Sequence, residues 1–472
     1  MISRMDSVGR LARLRQVEEQ RTALEVYKKD LLKQLAEVHR AIYQNERDKA
    51  ACAPIHALPD DILKLVFEEA YEHKLHKDCP RTSLLVVTHV SQRWRQVAVC
   101  LPKLWRCIHV HPSTSLVELC VRRAGAIPLF INFCDFEHET PENRVPRTTS
   151  GDDSWTVPYL RGLEFLLKHA SRIQYINLQT ISHRLLIELL PMMQKAPMPL
   201  LQHMEIFYEG SPSNLPNKFC FDLQFPELKR LYVMNLLIPF SSAFFQNLQE
   251  LSFDFVEFRT EELCALADAA PQLKTLRLDR AWGLSPDLGL AGPFPCLESL
   301  TVITHSDHEA YLDCFDAPAL FCLTIKRNHM HQWHSDMLSH LRTSRAFPSV
   351  RHLRLHDTFP KDDDDEELYG DDLFRYAPNT TTLELYQAVY ALEDLLTTPV
   401  PLPFLDTLVV ADLPDDNHAD LLEVVEHRAR CGCPLKELRL WERVFNCINM
   451  ELLKELEDHV RVSVVADELD EW

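Results

Sequence analysis

A short phrase, apolar-x-x-apolar-x-apolar, returns eleven times between residues 173 and 440. No other feature limits so strongly what this chain can fold into. The copies are Ile173-Ile176-Leu178, Leu201-Met204-Ile206, Leu228-Leu231-Val233, Leu248-Leu251-Phe253, Leu273-Leu276-Leu278 and Leu297-Leu300-Val302. They continue as Leu320-Leu323-Ile325, Val350-Leu353-Leu355, Thr380-Leu383-Leu385, Leu405-Leu408-Val410 and Leu435-Leu438-Leu440. First positions lie 20 to 30 residues apart. Within each phrase the last apolar residues alternate with polar ones, which sets them on one side of a short strand. Amphipathic helix candidates fill several intervals, such as Glu261–Ala270 and Ala419–Arg430. One strand and one helix cannot bury a core between them, whereas stacked copies can. The predicted class is therefore α/β: a curved parallel sheet on one face of a solenoid, helices on the other. Leu104–Val110 and Pro128–Phe133, with the helix-like Ser115–Ala124 between them, read as degenerate first repeats.

Charge and composition narrow the function classes. The 50 Lys and Arg stand against 70 Asp and Glu, a formal net charge of −20, and no basic patch stands out. Such a surface repels phosphate backbones, so nucleic acid is not an expected partner. The N-terminal residues have no apolar centre of the kind a secretory signal needs. No apolar run approaches the roughly 20 residues of a membrane span. A cytoplasmic or nuclear protein without a membrane partner is expected. The 14 cysteines are scattered, as suits small core residues in a reducing compartment. With only 10 glycines, Gly-rich phosphate loops are nearly excluded.

Residues 1–50 form a first region, read as one helix over 10–49. Val17, Leu24, Leu31 and Val38 recur every seven residues, and Leu14, Arg21, Lys28, Leu35 and Ile42 make a second column. That is a coiled-coil pattern of about four heptads. It fits pairing of two copies into a homodimer, and equally a helix docked on its own protein.

Residues 51–111 form a second region. Pro59 suits the first turn of a helix, and Asp60 and Asp61 favour its positive end. Ile62, Leu63, Val66, Phe67 and Ala70 then share one face. A second apolar helix carries Val87, Val90, Trp94, Val97 and Ala98, and Leu104-Trp105 follows Pro102. The order Leu58-Pro59, Ile62-Leu63, Val66-Phe67, Val90-Ser91-Gln92-Arg93-Trp94-Arg95, Leu104-Trp105 resembles an F-box. Residues 112–472 resemble an irregular leucine-rich-repeat array without the usual Asn or Cys ladder. A polar insertion lies near 137–154 and an acidic loop near 361–372. The whole chain is similar to fungal F-box proteins that open on a short coiled coil and end in degenerate repeats.

That resemblance implies a substrate-recognition subunit of a Skp–cullin–F-box ubiquitin ligase. Leu58, Pro59, Ile62, Leu63, Val66 and Phe67 would meet a Skp-type adaptor, helix in groove. The repeats would take a protein substrate whose identity the sequence does not name. A repeat scaffold without a ligase role is the alternative. On the outward sheet face, Arg277, Lys326, Arg354, His356, Tyr386, Arg439 and Trp441 are the expected substrate contacts, since Arg, Tyr and Trp dominate interface energies. Their basic members point to a partner with an acidic or phosphorylated segment.

No residue is assigned a catalytic role, and neither metal nor cofactor is expected. His329, His331, His334 and His340 lack the spacing of a four-ligand zinc site. Cys431-Gly432-Cys433 has no second pair, and Gly432 reads as a helix C-cap. Asp362–Asp365 lacks the alternation and central Gly of a calcium loop.

Overall fold

The computed structural model describes residues 2–51, 55, 58–75, 81–110, 113–134, 156–180, 182–208, 225–236, 238, 243–256, 259–279, 292–304, 312–327, 347–356, 374, 377–386, 389–413 and 417–466. The expected insertion at 137–154, the acidic loop at 361–372 and the histidines at 329–340 lie outside them. The chain divides into two compact units, Met1–Trp105 and Arg106–Trp472.

The first unit is helical. Its helices are α1 (Ile2–Ala51), α2 (Asp60–Leu75), α3 (Arg81–Val90) and α4 (Gln92–Val99), followed by a 3-10 turn at Pro102–Trp105. The single helix expected over Val87–Ala98 is two. Ser91 breaks it with extended backbone and caps α4, its Oγ accepting from the Trp94 amide at 3.1 Å. A serine side chain competes well for a free helical N–H at that position. Consequently Val90 closes α3 as an exposed residue and not as core.

The second unit is organised by one parallel sheet. Its strands are β1 (Cys107–His109), β2 (Leu129–Cys134), β3 (Ile173–Thr180), β4 (His203–Tyr208), β5 (Arg230–Met234), β6 (Glu250–Asp254), β7 (Thr275–Asp279) and β9 (Ser299–Thr304). They continue as β11 (Cys322–Arg327), β12 (His352–His356), β13 (Thr382–Tyr386), β14 (Thr407–Asp412), β15 (Glu437–Trp441) and β16 (Arg461–Val465). The 14 strands follow chain order across the sheet. Two short segments, β8 (Gly292–Pro293) and β10 (Phe315–Asp316), pair separately. Parallel neighbours need a long return, and the described returns include α5 (Thr114–Arg123), α6 (Thr156–Leu167), α7 (His183–Gln194) and α8 (Thr260–Ala269). Later come α9 (Val389–Asp394), α10 (His418–Arg430), α11 (Glu442–Cys447) and α12 (Met450–His459). Between β5 and β6 the described residues hold a 3-10 turn at Ala243–Asn247.

The second and third positions of all eleven phrases lie on strands of this sheet, the first positions other than Ile173 sit two residues ahead of their strands, and the two early segments supply β1 and β2. β16 has no phrase of its own. Second positions stack in one row, from Ile108 through Met204, Leu276 and Leu353 to Leu438, and every member is buried. First positions are buried as well. Even Thr380 is, because its hydroxyl donates to the Ala377 carbonyl at 2.7 Å. Leaving that hydroxyl unsatisfied would cost about 1–3 kcal/mol.

Two backbone patterns repeat along the array. The amide of each first position from Leu201 to Leu405 donates to the carbonyl three residues earlier, at 3.0 to 3.3 Å. That earlier residue is buried and apolar, for example Phe225, Phe245, Phe294 or Ala377. Then one carbonyl accepts two amides from the next copy. Gln202 O takes Lys229 N and Arg230 N, Lys229 O takes Gln249 N and Glu250 N, and the pattern runs on to Asp406 O with Lys436 N and Glu437 N. These clasps fix the register of each copy on the one before it.

Candidate functional site

Two surfaces present side chains that the fold does not use up: one on α2 in the helical unit, one on the outward face of the sheet.

On α2, Leu63, Phe67 and Tyr71 recur every four residues and are buried. The Phe67 ring meets Trp94 edge-on at 5.0 Å, and Trp105 Nε1 donates to the Ala98 carbonyl at 2.8 Å. Ahead of α2, the Arg93 guanidinium donates to the Leu58 carbonyl and binds Asp60 Oδ1 at 2.6 Å. This holds the Leu58-Pro59 corner at the head of the helix. The opposite face remains apolar and open: Ile62 is 44% exposed, Leu65 61% and Val66 40%. Their spacing of three and four residues puts them on one helical stripe.

The six residues expected to meet an adaptor therefore divide. Ile62, Val66 and Pro59 are exposed and Leu58 is partly exposed, whereas Leu63 and Phe67 are buried within the unit. Leu63 and Phe67 thus belong to the unit's own interior, and the open side chains of α2 are Ile62, Leu65 and Val66. Leu65 was missed. Its three-residue spacing from Ile62 was the available signal.

On the sheet, the outward rows alternate with the leucine rows. The middle outward row runs Tyr232, Ser252, Arg277, Thr301, Thr324, Arg354, Glu384, Val409, Arg439. The next row includes Lys326, His356 and Tyr386. The seven expected contacts all sit on this face, but they are unequally available. Arg439 is exposed, and Arg277, Lys326, Arg354 and Tyr386 are half-buried. His356 and Trp441 are buried.

The burial has a local cause. His356 stacks on Tyr386 at 5.1 Å, and Tyr386 meets Trp441 edge-on at 6.3 Å. The Arg443 guanidinium lies 4.9 Å over each of the last two rings, and its Nε donates to the Ala411 carbonyl at 2.7 Å. Val409, Ala411 and Trp441 form a small core here, flanked by Tyr386 and Val465. Burial pushes His356 down to about 4, and the Lys326 charge adds to that. The imidazole is accordingly neutral near pH 7.

Three arginines of the expected basic stripe have carboxylate partners. Arg277 pairs with Asp279 at 3.5 Å, Arg354 with Glu384 at 3.0 Å, and Arg439 with Glu437 at 2.8 Å. Burial of Glu384 opposes its ionisation, but a hydrogen bond from His352 and the Arg354 charge outweigh it and hold the carboxyl below its ordinary range. Among the described residues, Lys326 is the basic member of the seven without an ion pair.

The N-terminal half of the same face carries aromatic pairs that the sequence reading did not assign. Phe207 stacks on Tyr232 at 4.6 Å, and Phe130 meets Tyr175 at 5.8 Å. Tyr232 donates to Asp254 Oδ2 at 3.2 Å. Burial raises the Glu205 carboxyl above its ordinary range, while a hydrogen bond with Tyr175 works the other way.

Among the described residues no group of three or more His, Cys, Asp and Glu is placed to hold a metal ion. Nor is any helix there long and apolar enough to cross a membrane. No protein-family model matches the chain, and no curated protein matches it significantly.

Proposed function

We propose that this chain is a non-catalytic receptor: its helical unit docks on a Skp-type adaptor of a cullin ubiquitin ligase, and its sheet face takes a protein substrate. The observation that carries the reading is the two-sided character of α2. Leu63, Phe67 and Tyr71 complete the unit's own interior, which leaves Ile62, Leu65 and Val66 as an apolar stripe beside the Leu58-Pro59 corner. Such a stripe is the kind of anchor an amphipathic helix offers to a groove. The substrate side is supported by the half-buried aromatic and charged rows of the sheet, of the residue types that anchor interfaces. Tethering a substrate beside a ligase raises its effective concentration without chemistry in the receptor.

The test is capture of a recombinant Skp-type adaptor by the full chain. Leu65→Asp and Val66→Asp should abolish capture while leaving the thermal melt unchanged, because a charge in a desolvated groove is expensive. Full capture by both folded variants, or none by the unmutated chain, removes the ligase role and leaves a repeat scaffold.

A further inference from the structure

We propose that two copies of this chain pair through α1 as an antiparallel two-stranded coiled coil. α1 is 50 residues long, about 75 Å at the rise of an α-helix. Its columns Leu14-Arg21-Lys28-Leu35-Ile42 and Val17-Leu24-Leu31-Val38 each repeat every seven residues. That average of 3.5 residues is the spacing of a seam meant for another helix. Val17, Leu24, Leu31, Leu35, Val38 and Ile42 are 46 to 67% exposed. The seam is thus not spent on a docked position, the second possibility left open by its sequence.

Charge selects both the occupant and its direction. Flanking the first column are Glu18, Glu25, Leu32 and His39; flanking the second are Gln20, Tyr27, Gln34 and Ala41. In a parallel, in-register pair each residue of the first column faces its own copy. Arg21 would meet Arg21 and Lys28 would meet Lys28, with uncharged Gln20 and Tyr27 across the flank. Reversing one helix packs the first column against the second. Lys28 then faces Leu24, Arg21 faces Leu31 and Leu35 faces Val17. The same reversal puts the Glu18 and Glu25 flanks of both copies on one side, where Glu25 falls near its own counterpart and Glu18 near Leu32. In this register Glu25 of the second copy lies one residue from the level of Lys28. Arg21 already leans to that flank, bound to Glu25 of its own helix at 3.5 Å. An identical helix therefore supplies the apolar surface and sets Glu25 beside Lys28, while Arg21 keeps the Glu25 of its own helix.

Full-length chain is labelled at its N-terminal amine, half with a donor and half with an acceptor dye, and mixed at tens of micromolar. Light scattering should report a dimer. Energy transfer should be low, since the antiparallel pair separates the N-termini by nearly the length of α1, about 75 Å. A parallel pair would hold them within about 10 Å and give high transfer. Leu24→Glu with Leu31→Glu should yield a monomer that keeps its helix content. Glu25→Lys should weaken the dimer several-fold, and adding Lys28→Glu should restore it. A monomer before mutation, high transfer, or a dimer indifferent to the seam variants each overturns the proposal.

Discussion

Arg428 Nη2 donates to the Leu402 carbonyl oxygen at 2.9 Å, joining the last turn of α10 to the segment ahead of β14. Nη1 reaches the Pro401 carbonyl at 3.0 Å. The arginine is fully buried and forms no ion pair among the described residues. Two carbonyls and the negative end of its own helix compensate the charge. Burial lowers its pKa from the ordinary arginine value. Leu402 adopts a φ of 49°, so the clamp closes on a strained backbone position.

Arg428→Met should destabilise the second unit by about 1–3 kcal/mol, because the Pro401 carbonyl loses its arginine donor and the Leu402 carbonyl is left with the Leu405 amide. Arg428→Lys should be at least as harmful, since an ammonium cannot span both oxygens and keeps the buried charge. Denaturant unfolding measures both. Equal midpoints for Arg428→Met and the unmutated chain would show that the clamp contributes nothing.

His356 predicts a specific pH dependence. Its folded-state value of about 4 lies below the ordinary 6.5, so the unfolded chain takes up a proton that the folded chain refuses. Stability is full above pH 6.5 and declines as pH falls toward 4. Glu384, also depressed, begins to lose its contribution only below its ordinary 4.5. The window from 4.5 to 6.5 separates the histidine from Glu384 but is shared with His169 and His203, also depressed, and with Glu205, which is raised. The share of His356 is therefore read as the difference between the unmutated chain and His356→Gln, and should be about 2–3 kcal/mol across the window. His356→Gln should lessen the slope of the unfolding midpoint by that amount; an unchanged slope would place the titration elsewhere.

Gly432 sits at φ +79° directly after α10. The Cys433 amide donates to Arg428 O at 2.9 Å and the Gly432 amide to Ala429 O at 3.1 Å, the paired bonds of a Schellman cap. An added Cβ would meet nothing within 4 Å. Gly432→Ala should therefore cost only the backbone preference, about 1 kcal/mol, in a thermal melt. A loss several times larger would mean that crowding, not φ, holds the glycine.

For the sheet face, Lys326→Glu is the informative change. Reversing Arg354 or Arg439 would also break an ion pair within the chain, so lost binding would be ambiguous. Lys326→Glu should leave the melt unchanged, since exposed and half-buried single charges contribute little to stability. It should reduce capture of a protein substrate several-fold while adaptor capture holds. Unaltered substrate capture would move the contact to the N-terminal aromatic half, where Phe207 and Tyr232 stack.

The phrase itself located most of the sheet, because strand periodicity is written locally in every copy. Leu273-Leu276-Leu278 needs no knowledge of its neighbours to predict a strand with a buried side. β16 escaped because Arg461–Val465 carries no such phrase, and all three of its valines remain partly or largely exposed at the sheet edge. The aromatic residues three positions ahead of each copy, such as Phe225 and Phe294, were legible in principle. Their alternation with Ala270 and Ala377 concealed the pattern. The α2 surface was half legible: the amphipathic stripe was there, but one sequence face served two surfaces.

By itself, the sequence determined the class, the strand positions and the inward rows, since each follows from alternation within five or six residues. It also determined the heptad seam of α1. Tertiary structure alone decided which outward residues remain available. Arg354 is neutralised by Glu384, a residue 30 positions later that becomes adjacent only when β12 pairs with β13. His356 and Trp441 are buried by Tyr386 and Arg443, contributed from different copies. Register sets these meetings, and register is held by carbonyls such as Gln202 O clasping two amides of the next copy. Backbone groups are the same at every residue, so no side-chain pattern records which of them will pair.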